Sequence, residues 1–141
     1  MTTWLLKTEP SVYAYADLAR EKRTVWDGVT NPAAMKHMRS VRKGDECLIY
    51  HTGDEKRIAG LARVTKGAYE DPAHAGERVG DEPKFVLFEV APVREAGRGV
   101  TLAEIKKDPR FAGFDLVRLP RLSVMPVPPE MDAALREMAG L

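Results

Sequence analysis

Phe85-Val86-Leu87-Phe88-Glu89-Val90 is the stretch whose reading decides the fold class. Aromatic and β-branched residues suit a pleated, half-buried surface, so the run predicts a strand. Working back from it, Glu70–Lys84 carries Pro72, Gly76, Gly80 and Pro83 and reads as a surface loop. Before that loop, Ile58 to Tyr69 predicts another strand, with Leu61, Ala62 and Val64 apolar around Gly60. A tight Thr52–Arg57 loop connects it to Glu46-Cys47-Leu48-Ile49-Tyr50-His51, a strand that follows the Gly44-Asp45 turn. Trp4-Leu5-Leu6-Lys7 reads as a buried first strand stopped by Glu9-Pro10-Ser11, and Leu122–Val127 as the last. Val25 to Val29 is a strand or extended loop broken at Asp27-Gly28.

The helices announce themselves by their ends. Ala16–Glu21 is a short one. Asn31 is placed as N-cap and Pro32 at the first helical position of a helix running through Ala33 to Arg39. Thr101–Lys107 opens on the Thr-x-x-Glu capping box, and Pro129 opens a helix with Met131, Leu135 and Met138 on one face. Strands outnumber helices and most connections are short. The expectation is one mixed α+β domain over residues 1–141, built round a curved sheet or small barrel.

Composition is that of an ordinary folded chain: 141 residues, 44% hydrophobic and 30% charged. No run approaches the roughly 20 apolar residues that cross a bilayer, so no membrane partner is expected. Met1–Lys7 has no basic region followed by a long apolar run, which argues against a signal peptide and for a cytoplasmic protein. The lone Cys47 can make no internal disulfide and excludes multi-cysteine zinc sites. A net charge of +1 argues against a binder driven by charge alone. Its distribution is uneven, with Lys36, Arg39, Arg42 and Lys43 gathered near His37, and Arg118 and Arg121 near the end. These cations are either a solvated face or a grip on phosphates beside a helix N-terminus.

Enzyme motifs are absent: no P-loop, G-x-G-x-x-G, G-x-S-x-G or H-E-x-x-H occurs. His37, His51 and His74 show no metal-ligand spacing, and His51 would lie roughly 13 Å along the strand from Cys47, too far to activate it. Cys47 therefore reads as a buried apolar residue, and neither catalytic residue, metal nor cofactor is expected. Recognition chemistry is better represented. Trp26 beside the Asp27-Gly28 turn is either core or a stacking wall. Asn31 caps its helix or offers a paired donor and acceptor to a base edge. Ser11 and Ser123 serve a turn and a strand, or a pocket.

Taken in order, Trp4-Leu5-Leu6-Lys7-Thr8-Glu9-Pro10-Ser11, Val25-Trp26-Asp27-Gly28-Val29-x-Asn31, Leu48-Ile49-Tyr50-His51, Ile58-Ala59-Gly60-Leu61-Ala62, Ala68-Tyr69-x-Asp71-Pro72 and Arg121-Leu122-Ser123-Val124-Met125-Pro126 resemble the EVE domain family. The resemblance covers nearly the whole chain. It implies a PUA-like fold, a mixed β-sheet closing into a pseudo-barrel with short helices round it. It also implies a reader of modified bases in nucleic acid, with modified cytosine in DNA ahead of RNA targets, acting as a monomer in a bacterial cytoplasm. By position, Trp26 would be the stacking wall and Asn31 the base-edge reader. Ser11, Tyr50, His51 and Ser123 would line the pocket, with Lys7 and Glu9 on the adjoining strand end. Lys36, Arg39, Arg42, Lys43, Arg118 and Arg121 would face phosphates. Relatives commonly carry Arg at the positions of Thr30 and Met35 and Ser at Ala14, and a longer loop than Glu70–Lys84. Losing two cations would flatten the salt dependence of binding. The alternatives from other classes are a pocket for a free nucleoside or a protein, and a hydrolase of nucleic acid using Glu9 or Asp27.

Overall fold

The computed structural model describes residues 1–141. In chain order the elements are β1 (Thr3–Thr8), α1 (Tyr15–Glu21), β2 (Thr24–Trp26), α2 (Pro32–Met38), β3 (Glu46–His51), β4 (Arg57–Glu70), β5 (Arg78–Val79) and β6 (Glu82–Pro83). β7 (Val86–Thr101), α3 (Leu102–Lys107), α4 (Asp115–Arg118), β8 (Val124–Val127) and α5 (Pro129–Ala139) complete it. Six strands form one mixed sheet in the order β2-β7-β4-β3-β1-β8, and β5 pairs with β6 as a separate small hairpin. Only β1 and β3 run parallel; every other neighbouring pair is antiparallel.

The expected elements are present, with α4 and the small hairpin added and several bounds moved. The strand begun at Val86 continues to Thr101, through Pro92, Gly97 and Gly99, which would break an isolated strand. β4 runs antiparallel beside it for nearly its whole length, and register slips accommodate the breakers, one of them between Leu61 and Ala62 where Ala62 faces Pro92. The Glu70–Lys84 loop holds a 3₁₀ turn at Pro72–His74 and the β5–β6 hairpin. The last strand begins at Val124, so Ser123 lies just outside it. α2 packs against β7 and against β8, at opposite sides of the sheet, and so bridges the curl towards a pseudo-barrel.

The core is one cluster that includes Leu5, Leu48, Leu61, Phe88, Phe111 and Leu135, all essentially without solvent contact. Asp45 is buried just before β3. Its carboxylate accepts from the Trp4 indole N–H at 2.9 Å, Arg42 N–H at 2.9 Å and Thr2 N–H at 3.0 Å. Buried charge is tolerated when it is hydrogen-bonded in this way, and the three bonds pin the turn to the start of β1. Cys47 is fully buried, and desolvation together with Asp45 and Glu46 pushes its thiol far above the ordinary range. Gly60 sits where β4 shifts register, and a Cβ there would come within 2.5 Å of the Tyr15 ring. Tyr15 in turn donates its hydroxyl to Leu61 O at 2.7 Å and closes α1 over the sheet.

Gly60→Ala is expected to lower stability by about 1–3 kcal/mol through overpacking, read as a shift of the denaturant midpoint. An unchanged midpoint would mean that the Tyr15 ring moves aside at no cost. Cys47 is expected to resist a thiol-reactive dye in the native protein and to label fully in denaturant. Rapid native labelling would contradict its burial.

Candidate nucleic-acid interface

Parallel pairing brings the C-terminal ends of β1 and β3 to the same rim, with Lys7 beside Tyr50 and Thr8 beside His51. Successive residues on a strand point to opposite faces, so Lys7 and Thr8 open into different spaces. Three cavities lie around this rim and its flanking loops. The pocket expected from the sequence is divided among them.

The first, about 380 Å³, is walled by Trp26 and includes Thr8, Val12, Tyr13, Thr24 and Gly28. Trp26 is 7% exposed, held at the end of β2 opposite Phe88, with the Tyr13 ring edge-on at 6.5 Å. Both readings of this tryptophan therefore apply at once: most of the ring is core and one part is wall. Its indole N–H makes no hydrogen bond within the chain. It is also not sealed from solvent, since Thr65 Oγ1 is the sole buried side-chain atom left unpaired. That donor is free for a ligand. Tyr13 is fixed by its backbone N–H donating to Glu9 O at 2.8 Å and its hydroxyl donating to Glu21 at 2.8 Å. Thr8 Oγ1 donates to Tyr13 O at 2.7 Å, and desolvation raises the Tyr13 phenol so that it stays protonated.

The second cavity, about 410 Å³, lies between the start of α2 and the segment after α4, with Asn31, His37, Arg118, Leu119 and Arg121 in its wall. Asn31 is the N-cap: its side-chain oxygen accepts from Ala33 N–H at 2.9 Å and Ala34 N–H at 3.1 Å. Both lone pairs are thus committed, and the expected donor-and-acceptor reading of a base edge is reduced to a donor alone. Arg118 is paired with Asp115 at 3.3 Å, whereas Arg121 has no carboxylate partner. The third cavity, about 310 Å³, holds Tyr50 with Lys7, Lys56 and Lys106.

The remaining expected residues are placed elsewhere. His51 is buried with both ring nitrogens engaged, Nε2 accepting from Tyr15 N–H at 2.9 Å and Nδ1 donating to Glu55 at 2.9 Å. That geometry requires the neutral Nδ1–H form and leaves the ring holding α1 and the Thr52–Lys56 loop in place. Ser11 is exposed and donates its hydroxyl to Glu9 at 3.0 Å; Ser123 contributes its carbonyl to Lys7 N–H at 2.9 Å. The hydrogen bonds from Ser11 hold Glu9 below the usual carboxylate range, the wrong direction for a general acid. Arg39 is tied down by Glu82 at 3.0 Å and by the carbonyl of Lys84 at 3.1 Å, so it braces the β5–β6 hairpin. Arg42 and Lys43 flank the turn at the opposite end of β3, roughly 17 Å from the rim for a six-residue strand. Lys36 is exposed on α2. Met35 is buried, and its sulfur accepts from Val86 N–H at 3.3 Å; it belongs to the core. At Ala14 the missing side-chain cap is replaced in part by Asp17, which accepts from Ala14 N–H at 2.8 Å.

Thr8, Val12 and Tyr13 were not expected beside Trp26, nor Lys56 and Lys106 beside Tyr50. Alternation along β1 could have separated Lys7 from Thr8. Nothing local marks the other residues. No group of three or more His, Cys, Asp or Glu side chains is placed to hold a metal ion, and no helix is long and apolar enough to cross a membrane.

A mixed sheet of this order, curled with a helix across its opening and loops gathered at a parallel rim, is a PUA-like fold. The chain belongs to the EVE domain family, whose model matches residues 2–138. It is 32% identical to human thymocyte nuclear protein 1 over 123 residues, 73% of this chain and 55% of that protein. The chain thus spans about half the length of that relative. Among solved structures it is similar to Rpa0253 from Rhodopseudomonas palustris, at 34% identity and TM-score 0.89, covering 99% of this chain and 94% of that one. It is also similar to the human THYN1 protein in complex with 5-methylcytosine containing DNA, at 28% identity and TM-score 0.85, covering 100% and 99%.

Asn31→Ala is expected to cost about 1 kcal/mol of stability through loss of the cap, measured by thermal or denaturant unfolding. Asn31→Asp retains the acceptor and should leave stability nearly unchanged, while removing the amide donor. A loss of stability in the Asp variant equal to that in the Ala variant would contradict the capping role.

Proposed function

We propose that this protein is a non-catalytic nucleic-acid-binding module that takes a modified base, modified cytosine in DNA first among candidates, into the Trp26 cavity. The observation that carries this reading is the pairing of that cavity with a fold matched along its whole length by a protein crystallised with 5-methylcytosine DNA. The space falls within the roughly 300–1,000 Å³ of small-molecule sites, and its wall combines the exposed part of the Trp26 ring, the Tyr13 ring perpendicular to it, and a few free polar groups. Binding alone does the work. Swinging a base out of its stack costs a few kcal/mol, and stacking on an aromatic ring returns about 1–3 kcal/mol. One methyl group in a fitted pocket is worth about 1–3 kcal/mol, so discrimination between modified and plain strands is modest by design. The reading places DNA ahead of RNA and a monomer at the working end.

Fluorescence anisotropy with short oligonucleotides, plain and carrying modified cytosine or adenine, tests this directly. The wild type is expected to favour one modified strand. Trp26→Ala should weaken that binding by roughly 5- to 150-fold, the equivalent of the stacking term. Because Trp26 also belongs to the core, Trp26→Phe and circular dichroism of both variants separate lost stacking from lost structure. Equal affinity for modified and plain strands would end the base-reading role. No binding to any strand at low salt would end the nucleic-acid role altogether.

A further inference from the structure

We propose that the cavity beside Tyr50, walled by Lys7, Lys56 and Lys106, is a phosphate-binding site, occupied in the working complex by a phosphodiester of the bound strand. The identity of that occupant rests on the base-reading function; the anion site itself does not. No carboxylate lines this space. Of the nearby acids, Glu55 is paired with Arg57, while Glu9 abuts Gly53 and accepts only from the neutral Ser11 and Thr52, so it keeps its charge beside the wall. None of the three lysines makes an ion pair; the ion pairs of this chain use arginine or histidine. Three ammonium groups around a concavity with no carboxylate in its lining outnumber the one unpaired carboxylate beside it, Glu9, and focus positive potential there despite a net charge of only +1.

The site is also shaped to donate. Lys7 is half-buried and its ammonium donates to Pro120 O at 2.9 Å, which orients it beside the Tyr50 ring, 5.9 Å from the centroid, with donors to spare. The Tyr50 hydroxyl has no partner in the chain and is not sealed off. Lys56 is held at φ 46°, one of two non-glycine residues in the left-handed region; the other, Lys22, is accounted for as the C-cap of α1. The Lys56 carbonyl accepts from Leu102 N–H at 2.7 Å, so the strained loop is fixed to α3, the helix that carries Lys106. Strain of this kind persists only where surrounding structure enforces it, and it gathers at ligand sites. Burial lowers the affinity of Lys7 for its proton, and a bound phosphate would restore it. One hydrogen bond links the cavity to the Trp26 cavity: Thr52 lines it and donates its N–H to Thr8 O at 2.9 Å, and Thr8 lines the other. One strand can therefore place a base on one side of β1 and a phosphate on the other.

The test compares Lys56→Asn/Lys106→Gln with Lys22→Asn/Lys107→Gln, which removes the same charge away from the cavity and likewise puts asparagine at a left-handed position. Anisotropy with the preferred single strand across a salt series gives the slope of log K against log salt. The cavity variant should show a slope shallower by about 0.7, the value for one lost phosphate contact on a single strand, relative to the control pair. Equal slopes in the two variants, with binding retained, would overturn the site and leave base reading intact. In parallel, inorganic pyrophosphate is titrated into ¹⁵N-labelled protein. Saturable shifts of the Lys56 and Leu102 amides, absent in the cavity variant, are expected. If no strand binds yet these shifts appear, the site stands with a free phosphate ligand and the base-reading function falls. If neither strand nor pyrophosphate binds, both fall.

Discussion

The parallel pairing of β1 with β3 is the constraint on which the rest of the rim depends. A parallel neighbour cannot follow through a tight hairpin, and between the two strands lie α1, β2 and α2. Those intervening elements carry Tyr13, Trp26 and Asn31 to the end where both strands finish. The same pairing sets Lys7 beside Tyr50 and Thr8 beside His51, so adjacent residues of one strand serve different cavities. A one-residue slip would exchange the two faces and dismantle both spaces together.

Around this pair the structure spends its buried polar groups on position. Asp45 locks the turn before β3 to the start of β1, and His51 locks the end of β3 to α1 and to the loop that follows. At the far edge Thr3 donates to Asp132 and Arg136 bridges Asp132 and Glu46, fastening α5 across the same two strands. Each of these groups is satisfied by partners from distant parts of the chain. A hydrogen-bonded buried group contributes specificity of register beyond its net stability, because misplacing the strands would leave it unpaired. These bonds hold the rim around the Trp26 cavity in register.

Trp26 and Asn31 show how far local reading carries and where it stops. The Asn-Pro helix start was legible because capping is decided within four residues, and Asn31 does cap α2. That it lies in a different cavity from Trp26 depends on how the segment from Gly28 to Thr30 crosses the rim. For Trp26 the alternatives of core and wall could not be separated from the sequence, since both want a large aromatic ring near a turn. Arg39, Arg42 and Lys43 read as one cluster along the chain, yet Arg39 is spent on Glu82 and the Lys84 carbonyl, and the other two sit at the opposite end of β3.

By itself the sequence determined the alternation of apolar and polar residues, the caps at Asn31 and Thr101, the order of the strands along the chain and the six motifs that mark an EVE domain. These are legible because they follow from neighbouring residues and short-range periodicity. Tertiary structure alone decided that β7 runs on through Pro92 and Gly97, because its breakers are tolerated only against a long antiparallel partner. It alone decided that Lys7 of β1, Lys56 of the loop before β4 and Lys106 of α3 meet around Tyr50. Their approach is fixed by strand register and by the docking of α3, and no spacing along a chain encodes a distance set by residues some fifty positions apart.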